Sequence, residues 1–287
     1  MFDKNSYINC KNKTLIEIHG KDRFSFLQGI ISNDVYSLRN NASIYASILT
    51  PQGRFFIDFF LSNYKDHFII EIDQDEKDLI LSKFKMFKLR SEVDFLVNNA
   101  SVYLISNNLE VVLSNSIKDY LCFNDPRFEN LFKRFYIFEN DNQNLQKDLN
   151  LNLISIQKFN DLRLNNSIPD FRKDAIINKS LLMEMRFDEL KGISWTKGCY
   201  MGQEITARMK YRNLQKRKLF ALKIQYNGAM DREIRFKDEI VGNVTSHNKK
   251  DGLAYLNLKF IEKHKNEILI CGNSEIEIKD PWWSGKD

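Results

Sequence analysis

The stretch ISWTKGCYMGQEITAR, residues 193–208, holds the densest concentration of special residues in the chain. Gly198 and Gly202 flank Cys199, and glycine permits backbone geometries that would crowd other residues. The run from Gln203 has helix character, which puts Cys199 in a loop just ahead of a helix N-terminus. The positive end of that helix, Lys197 two residues earlier, and Arg208 and Arg212 beyond make the surroundings that favour thiolate over thiol. Local composition also supports a plainer reading, in which Cys199 is a small buried residue and Glu204 a first-turn acid complementing the helix dipole. No histidine lies nearby as a base, which weighs against a protease-like Cys–His pair.

Working outward, the first fifty residues read as strand, helix, strand. Leu15, Ile16 and Ile18 are extended, HGKDRFSFLQGI (19–30) is a helix with Asp22 at its N-cap and Phe26, Leu27 and Ile30 on its apolar face, and 43–49 is the next strand. The turn TPQG (50–53) leads to two buried strands, RFFIDFFL (54–61) and HFIIEI (67–72), joined as a hairpin by SNYKD. Leu79, Ile80, Phe84 and Phe87 recur at helical spacing. Strands at 93–97 and 102–105 and a last helix at 116–121 complete an α+β module. The polar stretch FENDNQNLQKDLN (138–150) is the clearest break in composition and reads as a surface loop. A helix resumes at 154–164. From Leu219 the segments LFALKI, EIRF, EIVGNV, GLAYLNL, EILI and EIEI predict a small barrel-like β domain.

Composition bounds the rest. At 287 residues, two or three domains are expected; 43% hydrophobic and 28% charged residues exclude wholesale disorder. The charge of +5 comes from 43 basic and 38 acidic residues, too small an excess to indicate nucleic acid. No apolar run approaches the roughly 18 residues of a membrane span. The start, MFDKNSYINCKNK, has neither the apolar stretch of a secretory signal nor the acid-poor character of a transit peptide, so a cytoplasmic protein is expected. The four cysteines, Cys10, Cys122, Cys199 and Cys271, are scattered without C-x-x-C, which fits a reducing compartment. His19, His67, His247 and His264 are isolated, and no metal motif is expected from their spacing.

The eight residues KGCYMGQE (197–204) resemble the signature of the YgfZ family of folate-binding, iron-sulfur-cluster maintenance proteins, relatives of the glycine-cleavage aminomethyltransferase. Family-like segments occur in the expected order: GKDRFSFLQGIISNDV (20–35), LTPQGR (49–54), KLRSEV (88–93), DPR (125–127), IP (168–169) and KRKLF (216–220). The resemblance implies an α+β fold of three domains in a ring around a central channel where a tetrahydrofolate-like ligand docks. Residues 1–50 with 151–212 would form one discontinuous domain, 51–150 an inserted one, and 217–287 the C-terminal β domain. It also implies an accessory protein for assembling or repairing iron-sulfur clusters in client enzymes, including those that thiolate tRNA. Cys199 would be the reactive group with Lys197 beside it, and Asp58, Gln203, Glu204, Arg208 and Arg212 would bind the reduced folate. Expected partners are client enzymes or cluster-assembly proteins, with no membrane; the sequence leaves turnover and oligomeric state open.

Two departures bear on function. Asn213 replaces a family glycine, and asparagine tolerates left-handed backbone. Aminomethyltransferases carry a paired acidic motif, of which only Asp58 remains, within an apolar strand where it either turns to solvent, pairs with a base such as Arg54, or lines the channel. The alternatives to cluster maintenance are therefore a tetrahydrofolate-dependent aminomethyltransferase and a folate-binding module without catalysis. The run RMKYRNLQKRK (208–218) holds six basic residues and is read first as a solvated face, second as a guide for a polyanionic folate tail, and last as an RNA contact.

Overall fold

The computed structural model describes residues 5–40, 42–106, 119–127, 132–138 and 151–281. The chain divides into two compact units. The first comprises Met1–Leu49, Ile57–Ile156 and Leu190–Met201; the second, Thr50–Phe56, Gln157–Glu189 and Gly202–Asp287.

The elements run β1 (Ser6–Asn9), β2 (Lys13–His19), α1 (Arg23–Gln28), a 3-10 helix (Val35–Arg39), β3 (Ser43–Leu49), β4 (Phe55–Tyr64), β5 (His67–Asp73), α2 (Lys77–Lys88), β6 (Asp94–Asn98), β7 (Ser101–Ser106), β8 (Tyr120–Asn124), β9 (Phe132–Ile137) and β10 (Asn152–Leu153). They form two five-stranded sheets, ordered β10-β1-β7-β9-β8 and β3-β4-β5-β2-β6. β3 and β5 are buried along their whole length, so neither SIYASIL nor HFIIEID shows the strict alternation of a half-exposed strand, and the polar residues of β5, His67, Glu71 and Asp73, are buried with it. Strand pairing crosses residue 50: β1 pairs with β7, and β2 lies between β5 and β6.

Three expectations change in this unit. Asp22 occupies the N-cap of α1, but with φ −91° and ψ 5° it makes no cap bond; its carboxylate instead accepts the Glu92 N–H at 2.8 Å. A capping side chain needs extended backbone to turn back on its helix, and Asp22 lacks it. The stripe of α2 is narrower than its periodicity predicts, since Ile80 and Phe84 are buried but Leu79 is exposed. The helix expected at 116–121 falls partly outside the described residues, and Tyr120 and Leu121 belong to β8. The loop read at 138–150 also lies outside the described residues, apart from Phe138.

The second unit contains α3 (Ile156–Asn165), α4 (Phe171–Asp174), α5 (Gln203–Tyr211), β11 (Arg217–Gln225), β12 (Glu233–Phe236), β13 (Glu239–His247), β14 (Asp251–Asn257), α6 (Leu258–His264), β15 (Leu269–Cys271) and β16 (Ser274–Lys279). The six strands close into a barrel, β11-β14-β13-β12-β15-β16, around Leu222, Ile234, Leu256, Leu269 and Ile276. Each segment that alternation marked in the tail is a barrel strand. The helix α6 was not foreseen; Asn257 caps it by accepting the Lys259 N–H at 3.0 Å. Buried Asp174 ties the helical part to the barrel, accepting from Thr245 Oγ1 at 2.6 Å and from Ser246 Oγ, while Arg163 Nη1 lies 3.4 Å away.

Candidate functional site

The loop that carries Cys199 is held by the segment FLQGIISNDV. Ser194 N–H donates to Ser32 O at 3.0 Å, Met201 N–H to Gly29 O at 3.0 Å, and Ser32 Oγ to Gly192 O at 2.6 Å. Asn33 Nδ2 donates to both Tyr45 O and Lys191 O at 2.8 Å, so one amide ties the motif loop to β3. Two segments noted separately in the sequence are thus one structure.

Lys197 is the anchor of this structure. It is buried, and its ammonium donates to Ile31 O at 2.8 Å and Asn33 O at 2.9 Å, 4.9 Å above the Tyr200 ring. Burial pulls its pKa down to about 8, opposed by the nearby Asp34 carboxylate. Lys197 is therefore interior, and its donors serve backbone carbonyls. Cys199 is exposed; Cys10 and Cys271 are buried and Cys122 half-buried, and all four thiols are free.

The two motif glycines differ. Gly202 has φ +78° at the N-cap of α5, a left-handed conformation suited to glycine, whereas a side chain at Gly198 would meet nothing within 4 Å. The special geometry expected of both belongs to Gly202 alone. Gly53, in the turn after β3, also has positive φ (+71°), and a Cβ there would sit 2.8 Å from Gly202 O and 2.9 Å from Ile205 Cβ. The TPQG turn is thereby fitted against the start of α5.

Gln203, Glu204 and Arg208 lie on α5 and Arg212 at its C-cap. Glu204 and Arg208 form an ion pair one turn apart on the exposed face. Of the basic run, Lys210 pairs with Asp188, Arg217 with Glu184 and Lys218 with Glu189, so much of its charge is already matched. Arg54 Nη1 donates to Lys179 O. Of the alternatives open for Asp58, pairing with Arg54 is not the one found: the Tyr45 hydroxyl donates to its Oδ2 at 2.6 Å. Burial raises the Asp58 pKa, with the Tyr45 bond opposing. Tyr45 lines a cleft of about 770 Å³ together with Asn33, Cys122, Asn124, Lys133 and Lys191. Sequence reading had singled out none of Tyr45, Asn124, Lys133 and Lys191, which come from β3, β8, β9 and the loop ahead of Cys199 and meet only in the fold.

No protein-family model matches the chain. It is 27% identical over 236 residues to the iron-sulfur cluster assembly factor IBA57 homolog, mitochondrial, of Neurospora crassa, covering 76% of this chain and 53% of that protein. The homolog of the same name in Dictyostelium discoideum is 26% identical over 253 residues, covering 76% and 62%. The chain thus spans between half and two thirds of the length of these relatives. The tRNA-modifying protein YgfZ of Vibrio vulnificus strain YJ016 is 25% identical over 232 residues, covering 74% and 68%. Among solved structures, the glycine cleavage system aminomethyltransferase T from Bartonella henselae superposes with a TM-score of 0.79 at 11% identity, over 96% of this chain and 85% of that one. The resemblance to the YgfZ family is therefore borne out, and the chain is a homologue of the YgfZ and IBA57 proteins with the fold of the glycine-cleavage aminomethyltransferase.

Proposed function

We propose that the chain serves the assembly or repair of iron-sulfur clusters in client enzymes, among them those that thiolate tRNA, with Cys199 as the transient ligand or acceptor. The observation that carries this reading is the exposure of Cys199 on a loop locked from below by Lys197. Thiolate is the soft ligand that iron-sulfur chemistry uses, and a single thiolate cannot hold a cluster alone. The remaining ligands would come from the client or an assembly partner. The names of the relatives, a cluster assembly factor and a tRNA-modifying protein, support the same role. Four free thiols suit a reducing compartment. The cytoplasmic placement read from the N-terminal residues stands beside relatives whose names include the word mitochondrial.

A reduced folate fits the cleft beside Tyr45. Ile44 and Phe123 offer apolar surface, Asn33 and Asn124 offer amides, and Lys133 and Lys191 offer cations for a carboxylate tail, within the usual size of a small-molecule site. When bound, a reduced folate supplies an amine that accepts one-carbon units. The chain would orient it; none of Gln203, Glu204, Arg208 and Arg212 lines this cleft, and they are proposed as folate contacts on the family resemblance alone. A second reading, aminomethyl transfer, is favoured by one observation: Asp58 stands one hydrogen bond behind the cleft wall, through Tyr45.

Complementation separates these readings. In a deletion strain, wild type and Cys122→Ser should restore activity of cluster-dependent enzymes and Cys199→Ser should not, at equal abundance. Equal rescue by Cys199→Ser would end the cysteine role. Calorimetry with tetrahydrofolate should show micromolar binding; no heat well above that range removes the folate part alone.

A further inference from the structure

Two of the four histidines that looked isolated in the sequence, His19 and His67, meet in the fold. β2 and β5 are antiparallel, with Glu17 opposite Ile69 and Ile18 opposite Phe68, which brings His19 beside His67 at the start of β5. Glu17 and His19 are two residues apart on one strand and share a face. One nitrogen from each imidazole and a carboxylate oxygen of Glu17 all lie within 4.8 Å of one another. His19 Nε2 is 2.8 Å from Glu17 Oε2, and His67 Nε2 is 3.9 Å from Glu17 Oε1. The imidazole rings are stacked, 4.4 Å between centroids.

We propose that Glu17, His19 and His67 form a binding site for a divalent first-row transition ion such as Zn²⁺ or Fe²⁺, separate from the Cys199 loop and independent of the function proposed above. A hydrogen-bonded His19–Glu17 pair explains His19 but not His67. His67 is only 7% exposed, and its Nε2 is buried with no hydrogen-bond partner. Native proteins rarely leave a buried polar atom unmatched, because the lost hydration is not recovered. Facing the Glu17 carboxylate at 3.9 Å does not satisfy that lone pair, since both are acceptors. An ion between them would bind both.

The surroundings favour the same state. His67 Nδ1 lies 3.3 Å from Asp66 Oδ1, an acceptor-only oxygen, which places the ring proton on Nδ1 and the lone pair on Nε2. A carboxylate behind a histidine is the usual support for a metal ligand. Asn98 Nδ2 donates to Glu17 Oε1 from the neighbouring strand β6, fixing the carboxylate. Binding would displace the proton that His19 Nε2 shares with Glu17, and side-chain rotation would draw the ligand atoms in to about 2.1 Å from the ion. Two imidazoles and a carboxylate suit borderline ions over hard Ca²⁺ and Mg²⁺ or soft Cu⁺, and leave coordination positions open for water or another ligand.

The test uses the full chain, treated with chelator and titrated with Co²⁺, whose visible absorption reports its ligands, followed by competition with Zn²⁺. The expected result is about one Co²⁺ per chain, bound through nitrogen and oxygen without thiolate charge-transfer absorption, and displaced by Zn²⁺. His19→Gln, His67→Gln and Glu17→Gln should each weaken binding at least about tenfold, and Asn98→Ala about tenfold, while Cys199→Ser changes nothing. His19 is partly exposed, so His19→Gln keeps the test valid if the His67 variant misfolds. Thermal unfolding without metal checks that each variant is native. The proposal is overturned if folded wild type takes up no ion, if uptake survives in both histidine variants, or if it is lost in Cys199→Ser.

Discussion

Among the four thiols, Cys199 differs from the others in exposure. Burial pushes up the pKa of the other three, that of Cys10 to about 12, and only thiolate reacts at an appreciable rate. Alkylation of the native protein at neutral pH should therefore label Cys199 well before Cys10, Cys122 or Cys271, as peptide mapping over time would show; labelling of Cys122 at the same rate would sink the argument. Lys197 leads to a prediction about stability. Lys197→Met strands the carbonyls of Ile31 and Asn33 and should cost about 1–3 kcal/mol. Its folded pKa of about 8 lies below the ordinary value of about 10.4, so between these values the unfolded chain holds the extra proton and the burial penalty fades as pH rises. Denaturation midpoints of wild type and Lys197→Met should accordingly diverge in favour of wild type from pH 8 to 10. For Asp58 the folded pKa is raised, so the unfolded carboxyl ionises first and the folded state is penalised as pH rises above about 4. Asp58→Asn should raise the melting temperature at pH 7 and lose that gain near pH 4. Under the cluster-maintenance reading it should also complement a deletion strain, whereas failure to do so in a folded variant would favour aminomethyl transfer.

At the scale of elements, the start of α5 is set by two glycines in contact, only one of which belongs to the cysteine motif. Gly53→Ala forces a Cβ into the Gly202 carbonyl and the Ile205 side chain at positive φ, and should destabilise the protein by about 1–3 kcal/mol. Gly198→Ala meets open space and should leave stability within about 0.5 kcal/mol of wild type. Urea unfolding of both variants measures the contrast, and similar losses would show that the motif loop is more crowded than its geometry indicates. The contrast also shows why spacing alone misjudged the motif. Glycine in a sequence announces permitted backbone, but whether the permission is used depends on what approaches from elsewhere, and here Gly53 approaches Gly202 while nothing approaches Gly198. The Asp22 cap failed for a related reason: the residue type and position were right, but the backbone of the preceding turn delivered its carboxylate to Glu92.

Over the whole molecule, what was legible followed from local pattern. Alternation and turns marked the six barrel strands, and helical spacing marked α2 and α3. What was not legible depended on contacts that spacing does not carry: the register of β2 against β5 that sets the His19–His67 neighbourhood, the Tyr45–Asp58 bond between β3 and β4, and the cleft that Tyr45 lines. The same holds for a buried charge cluster in the first unit. Arg134 on β9 donates to both oxygens of Glu71 on β5, at 2.5 and 2.6 Å, and to Asp125 Oδ2 at 3.1 Å; Arg127 joins Asp125 at 3.0 Å, and Arg134 lies 3.4 Å over the Phe60 ring. β5 and β9 belong to different sheets, so this cluster joins them. Replacing the carboxylate leaves two guanidinium groups short of charge in the interior, and Asp125→Asn should cost about 3–5 kcal/mol at pH 7. Burial alone would raise the Asp125 pKa, but Arg127 and then Arg134 outweigh it and hold the carboxyl below its usual range. A depressed folded pKa means that the stabilisation is complete above the unfolded value, about 4, and is lost as pH falls through the folded one. Urea midpoints measured from pH 7 down to 3 should therefore show wild type losing stability more steeply than Asp125→Asn, with the two curves converging in acid. Parallel curves would mean that Asp125 holds the sheets by packing rather than by charge.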